Sequence, residues 1–165
     1  MGKSTTSKSK SMNRKGKSIK SKSNKSLRKT THNRSEKNVS NEKKSHLVHV
    51  FFEMLNTVKL YHWKTKSYAQ HKATDELYEH LNENIDKFVE VLLGKDESRI
   101  RMIEKRITVV DYSNVSDFKE KIYKYRDFLT GLNKHFNEKK DSDLLSIRDD
   151  ILVDINQFLY LMTFN

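Results

Sequence analysis

The chain has 165 residues, 33 Lys plus Arg against 22 Asp plus Glu, and a formal net charge of +11, a size that suits one domain with an appendage. The absence of cysteine excludes a disulfide scaffold, a thiolate nucleophile and any zinc or iron–sulfur site built on sulfur. No apolar run approaches the roughly 20 residues of a membrane span, and the N-terminus lacks the apolar stretch of a secretory signal, so an intracellular compartment is expected; a nucleoid, a host nucleus or cytoplasm, and a virion all fit.

The charge is unevenly placed. Residues 1–45 hold 15 Lys/Arg and two Glu (Glu36, Glu42), a net of +13, whereas residues 46–165 hold 18 and 20, a net of −2. The first 45 residues form a Lys/Ser-rich segment without Phe, Trp or Tyr. Such a segment cannot bury enough apolar surface to offset its ordering entropy and is expected to be disordered. Its cations, among them Lys8, Lys10, Arg14, Lys15 and Lys17, then Lys20, Lys22, Lys25, Arg28 and Lys29, suit phosphate binding by counterion release, which is salt-sensitive and largely blind to sequence. Without aromatics there is no stacking platform for single strands, so DNA or another bulk nucleic acid is the expected partner. The 15 Ser/Thr among these cations also make the segment a candidate phosphorylation switch. Gly2 followed by Ser4 to Thr6 fits an N-myristoylation pattern formally, but a membrane partner is not the expectation.

From Ser45 onward the apolar period becomes helical. Leu47, Phe51, Met54, Val58 and Tyr61 mark a first helix. Leu77, Leu81, Ile85, Phe88 and Leu92 mark a second, opened by a capping box at Ser67 and Gln70 and stopped near Gly94. A third carries Phe118, Ile122, Tyr125, Leu129, Leu132 and Phe136 behind Ser116, and a fourth carries Leu144, Ile147, Ile151, Ile155, Phe158 and Met162 behind Asp141. Residues 95–115 make a longer connection, with a short helix expected from Ser98 to Arg106 and a β-branched run from Ile107 to Val110. Proline is absent throughout, so nothing interrupts the helices. The expected fold is all-α: residues 46–165 as a ferritin-like four-helix bundle with a long central crossover, preceded by the basic segment 1–45.

Chemistry enters on the first two helices. His62 follows Val58 by one turn and extends the apolar stripe, where a histidine is either a hydrogen-bonded core residue or a ligand. On the second helix His71, Asp75, Asp86 and Glu90 fall within one stripe about 100° wide. Imidazole and carboxylate together suit iron, manganese or zinc, although charged i,i+4 pairs also populate ordinary solvated faces. Asp75 and Asp86 lie about 16 Å apart along the axis, so one helix cannot bring all four residues to one ion. Packed antiparallel against its two-fold copy, it can: the His71/Asp75 end of one subunit meets the Asp86/Glu90 end of the other, twice. His49 with Glu53 is a further metal pair to consider.

His62-Trp63, then His71-x3-Asp75-x10-Asp86-x3-Glu90, then Leu93-Gly94, resembles the signature of the Dps family, the DNA-binding mini-ferritins of starved cells. The likeness is specific over about residues 47–94 and only architectural beyond. It implies an inter-subunit ferroxidase site with His62, His71 and Asp75 from one subunit and Asp86 and Glu90 from its mate, and Trp63 beside the iron. It also implies iron(II) as the metal, with other divalent ions admitted, a two-fold dimer, and a shell of twelve subunits. The segment between His62 and His71 holds eight residues, shorter than the family's usual eleven. The larger ferritins match less well, because no Glu here has a His three residues on. The expected function is oxidation and sequestration of iron by a protein that holds nucleic acid through its basic segment and protects it from oxidative damage. The alternative is a non-enzymatic DNA-compacting protein whose bundle only presents cationic tails.

Overall fold

A computed structural model describes residues 39–164, which contain four α-helices and no strand. The basic residues from Lys8 to Lys29 and the expected disorder of the tail lie outside the described residues. The helices are α1 (Asn41–Lys64), α2 (Tyr68–Gly94), α3 (Val115–Gly131) and α4 (Ser142–Leu161), with a single 3-10 turn, Leu132–Lys134, after α3. Among the described residues, no helix is long and apolar enough to cross a membrane.

The apolar stripes read from the sequence meet in one core. Phe51, Met54 and Val58 of α1, Leu81, Phe88 and Leu92 of α2, Phe118, Ile122 and Leu129 of α3, and Leu144, Ile151 and Ile155 of α4 are fully buried. Aromatic pairs tie the helices together: Phe51 meets Phe88 edge-on, and Tyr61 stacks on Phe118 with centroids 3.8 Å apart. Two buried polar contacts join the elements. Thr57 and Tyr125 share a 2.9 Å hydrogen bond between α1 and α3. Burial drives the Tyr125 hydroxyl well above its ordinary pKa and a neighbouring Glu53 carboxylate adds to the rise, outweighing the Thr57 hydrogen bond. Arg148 is buried and donates to the Leu129 carbonyl at 3.0 Å and to Asn133 Oδ1 at 2.7 Å, which pins the turn after α3.

Cross-helix pairs give the directions. α1 and α2 are joined by residues 65–67 and run antiparallel, with Lys44 beside Asp96 at one end and His62 against His71 at the other. Along α1 and α3 the pairs are His46 with Phe128, Glu53 with Lys121, and Tyr61 with Phe118, again antiparallel. Along α2 and α4 they are His80 with Asp154 and Lys95 with Asp143, also antiparallel. Therefore α2 and α3 run the same way, and the chain between them must return the length of the bundle. Residues 95–114 do so along α1: Arg101 and Ile103 lie at its start, Glu104 beside His46 and His49, and Asp111 against Lys64 near its end.

The structure adjusts the expected boundaries. α1 opens at Asn41 under an N-cap at Ser40, so residues 41–45 belong to the bundle and not to the basic segment; Lys44 and Ser45 are both buried. Ser67 does cap α2 by accepting from the Gln70 N–H. Gln70, however, turns its side-chain oxygen to the Tyr61 and Thr65 hydroxyls, so the box is one-sided. α3 is capped by Asn114, whose side chain accepts from the Asp117 N–H at 2.8 Å, and not by Ser116. α3 also stops at Gly131, leaving Leu132 in the turn and Phe136 beyond it. No helix forms over residues 98–106. There the first turns of α1 capture the backbone: Asn41 donates to the Arg101 carbonyl at 3.0 Å, and Ser45 Oγ accepts from the Ile103 N–H at 2.8 Å. Both groups are ones that an i→i−4 ladder would need.

Candidate metal centre

The short turn between α1 and α2 stacks the rings of His62 and His71, centroids 3.9 Å apart and planes 23° from parallel. His62 Nδ1 lies 3.0 Å from the His71 carbonyl oxygen, and His71 Nδ1 lies 3.1 Å from the His62 carbonyl oxygen. A carbonyl can only accept, so each imidazole carries its proton on Nδ1. In the neutral ring each Nε2 is then a bare lone pair, the arrangement in which backbone carbonyls orient metal-binding histidines. Thr74 Oγ1, which donates to the Gln70 carbonyl at 2.7 Å, sits 3.3 Å from His62 Nδ1 and braces the same ring. Tyr61 donates to Gln70 beside it; burial raises that phenol above its ordinary pKa against a lowering hydrogen bond with Thr65.

His62 Nε2 faces Asp75 Oδ1 at 3.6 Å. Two lone-pair carriers at that distance attract one another only through a proton or a cation between them. His62 is buried and Asp75 half-buried. Asp86 and Glu90 are exposed further along α2, about 16 Å away from Asp75 along the axis. The structure thus sets His62 against His71 and against Asp75, and leaves Asp86 and Glu90 apart from them. Among the described residues, no group of three or more His, Asp or Glu in a single chain is arranged to hold a metal ion.

One participant escaped the sequence reading. Lys59 reaches across from α1, its Nζ 3.6 Å from Asp75 Oδ1 and 4.5 Å from the centroid of the Tyr78 ring. It stands one turn before Trp63, whose ring centroid is 6.0 Å from the ammonium and which is 70% exposed. The i,i+4 spacing of Lys59 and Trp63 was a readable signal for that pair. The approach to Asp75 depends on the helix pairing and was not. His49 and Glu53 do not act as a pair: His49 turns to Glu104 at 3.3 Å, while Glu53 takes Lys121 and the Tyr125 hydroxyl.

Searches of curated proteins and of solved structures gave no match to this chain. Residues 62–162 match a family of unknown function, DUF5856. The matched stretch begins at His62 and takes in His71, Asp75, Asp86 and Glu90 together with the connection, α3 and α4. Since it covers more than half of the sequence, the chain belongs to the DUF5856 family.

Proposed function

We propose that the protein is a Dps-like mini-ferritin, which oxidises and sequesters iron at a site shared across a two-fold axis and holds nucleic acid through its basic N-terminal residues. The reading takes the up-down-down-up order of the helices, with the connection returning along α1, as a ferritin-like crossover. The observation that carries it is the reciprocal locking of His62 and His71, which leaves Nε2 of each neutral ring as a bare lone pair, that of His62 3.6 Å from Asp75 Oδ1. Iron(II) is the substrate. It would be held by those two nitrogens and Asp75, with Asp86 and Glu90 of the partner subunit completing an oxygen-rich set suited to a hard, oxidisable cation. Two iron(II) ions give one electron each to the oxidant: hydrogen peroxide takes two protons and leaves as two waters, whereas dioxygen takes two protons and leaves as hydrogen peroxide. The locked imidazoles keep their ligand atoms bare, and the displaced cation at Asp75 is Lys59.

Aerobic iron(II) oxidation by the purified protein tests this. The Asp86→Ala/Glu90→Ala double variant should lose at least 90% of the catalysed rate, because mutating even the outer-shell partners of metal ligands typically costs 10–100-fold in metal affinity or activity. Equal rates in the two proteins would sink the ferroxidase.

The second reading, a non-enzymatic oligomer that presents cationic tails to compact DNA, is favoured by Lys59, which already compensates Asp75 without any metal. On either reading the site of action is an intracellular compartment holding nucleic acid, and many tails on one assembly raise avidity. Deleting residues 1–36 keeps α1 and the buried Lys44 intact. The truncated protein should lose a salt-dependent DNA mobility shift while oxidising iron at an unchanged rate. A truncated protein that shifted DNA as well as the full chain would place the nucleic-acid surface on the bundle instead.

A further inference from the structure

The connection along α1 has a feature that its role as a link does not require. Between Glu104, beside His46 and His49, and Asp111, against Lys64, seven residue steps cover about 25 Å of helix axis. That is close to the limit of an extended chain. This stretch, Glu104-Lys105-Arg106-Ile107-Thr108-Val109-Val110-Asp111, is exposed at every residue. Among the described residues, no backbone N–H or carbonyl from 104 to 113 makes a hydrogen bond. An extended, β-branched segment with unpaired backbone groups is a template for strand addition.

Its sequence selects the occupant. In an antiparallel pairing of residues 106–111 with the same residues of a second copy, Arg106 faces Asp111, Ile107 faces Val110 and Thr108 faces Val109, each twice. Opposite charges and β-branched pairs directly across are the favourable cross-strand combinations, so the segment is complementary to itself about a point between Thr108 and Val109.

A second observation puts the axis at the same level. The shared iron site requires a two-fold axis crossing α2 midway between Asp75 and Asp86, beside His80 and Leu81. Phe51 against Phe88 and His62 against His71 place that level near Asn56 of α1. Asn56 lies about 13 Å along α1 from the His46/His49 level. From Glu104, four extended residues of about 3.3 Å each cover that distance and end at Thr108. Two features unrelated in sequence, a ligand stripe on α2 and a charge palindrome in the connection, therefore have their midpoints at one level along the bundle.

We infer that residues 106–111 form a two-stranded antiparallel ribbon with the same segment of a second copy, closing a dimer across the outer side of α1. The position of the axis rests on the shared-site reading; the self-complementarity of the segment does not. Sedimentation velocity of the full chain over a range of concentrations tests it. Arg106→Asp and Asp111→Arg each set like charges opposite one another twice and should raise the dimer dissociation constant about tenfold. The double reversal restores opposite charges and should return it close to the wild-type value. Lys64→Ala, which removes the intrachain partner of Asp111, should leave dimerisation unchanged. A cross-link gives the register: the chain has no cysteine, and a mixture of Thr108→Cys and Val109→Cys chains should oxidise to the mixed disulfide ahead of either variant alone. A monomeric protein, charge variants that dimerise as well as wild type, or random cross-linking overturns the ribbon. A charge-dependent dimer that fails to oxidise iron supports the ribbon and removes the ferroxidase.

Discussion

Replacing Phe118 by alanine should destabilise the protein by about 3–5 kcal/mol, the usual cost of deleting a buried phenyl ring. The side chain is fully buried. Its ring stacks on Tyr61 with an interplanar angle of 3° and meets Phe158 edge-on at 6.0 Å, so it joins α3 to both α1 and α4. Neighbouring elements that converge from three helices cannot collapse into the space without shifting backbone, which places the cost in the upper part of that range. Against a total stability of about 5–15 kcal/mol the loss is large enough to unfold much of the population at 37 °C. Urea unfolding should show a lower midpoint with an unchanged slope. Phe164→Ala, at an exposed ring beyond α4, should change stability by less than about 0.5 kcal/mol. A loss below 1 kcal/mol in Phe118→Ala would mean that this end of the bundle is not packed as described.

Phe118 also shows what could be read from the sequence. Its place on the third apolar stripe follows from local period alone, and all four stripes lie in the core. Local chemistry likewise identified Ser67 as the cap of α2. It failed where another group competed, whether near in sequence or far from it. Asn114 took the cap of α3 from Ser116 because its amide reaches both the Asp117 N–H and the Asp117 carboxylate. The expected helix at 98–106 lost to Asn41 and Ser45, which lie about sixty residues earlier and bind its backbone directly. At the site, the 100° stripe on α2 was visible as a spacing. The reciprocal His62–His71 lock was not, because it depends on how the tight turn returns the chain. Lys59 was missed for a similar reason: its i,i+4 neighbour is Trp63, whereas its closest anion is on another helix.

The same kind of distant partner decides the second large effect. Asp96→Ala should cost about 3–5 kcal/mol at neutral pH, as breaking one side of a buried ion pair does. Lys44 is only 4% exposed. Its ammonium is 2.6 Å from Asp96 Oδ2 and 2.7 Å from Ser98 Oγ. Truncating Asp96 leaves that ammonium desolvated with a single neutral acceptor at the junction of α1, α2 and the connection. Adding Lys44→Met should recover most of the loss, since an apolar chain of similar length needs no counter-charge. Burial alone would raise the Asp96 carboxyl, but its hydrogen bonds from Lys44 and Ser98 and the attraction of the Lys44 charge outweigh it and hold the group below the usual carboxylate range. A lowered folded-state value means that the ionised form stabilises the fold. That contribution is complete above the unfolded value of about 3.9 and is lost as pH falls through the lower folded value. Asp143 is held low in the same direction, burial being outweighed chiefly by its hydrogen bond from Lys95, so wild type should weaken below about pH 4 at both ion pairs. Denaturant unfolding at pH 7, 5, 4 and 3 should therefore show the gap between wild type and Asp96→Ala constant down to pH 5 and narrowing below pH 4. A gap independent of pH would show that Asp96 acts through packing and not through its charge.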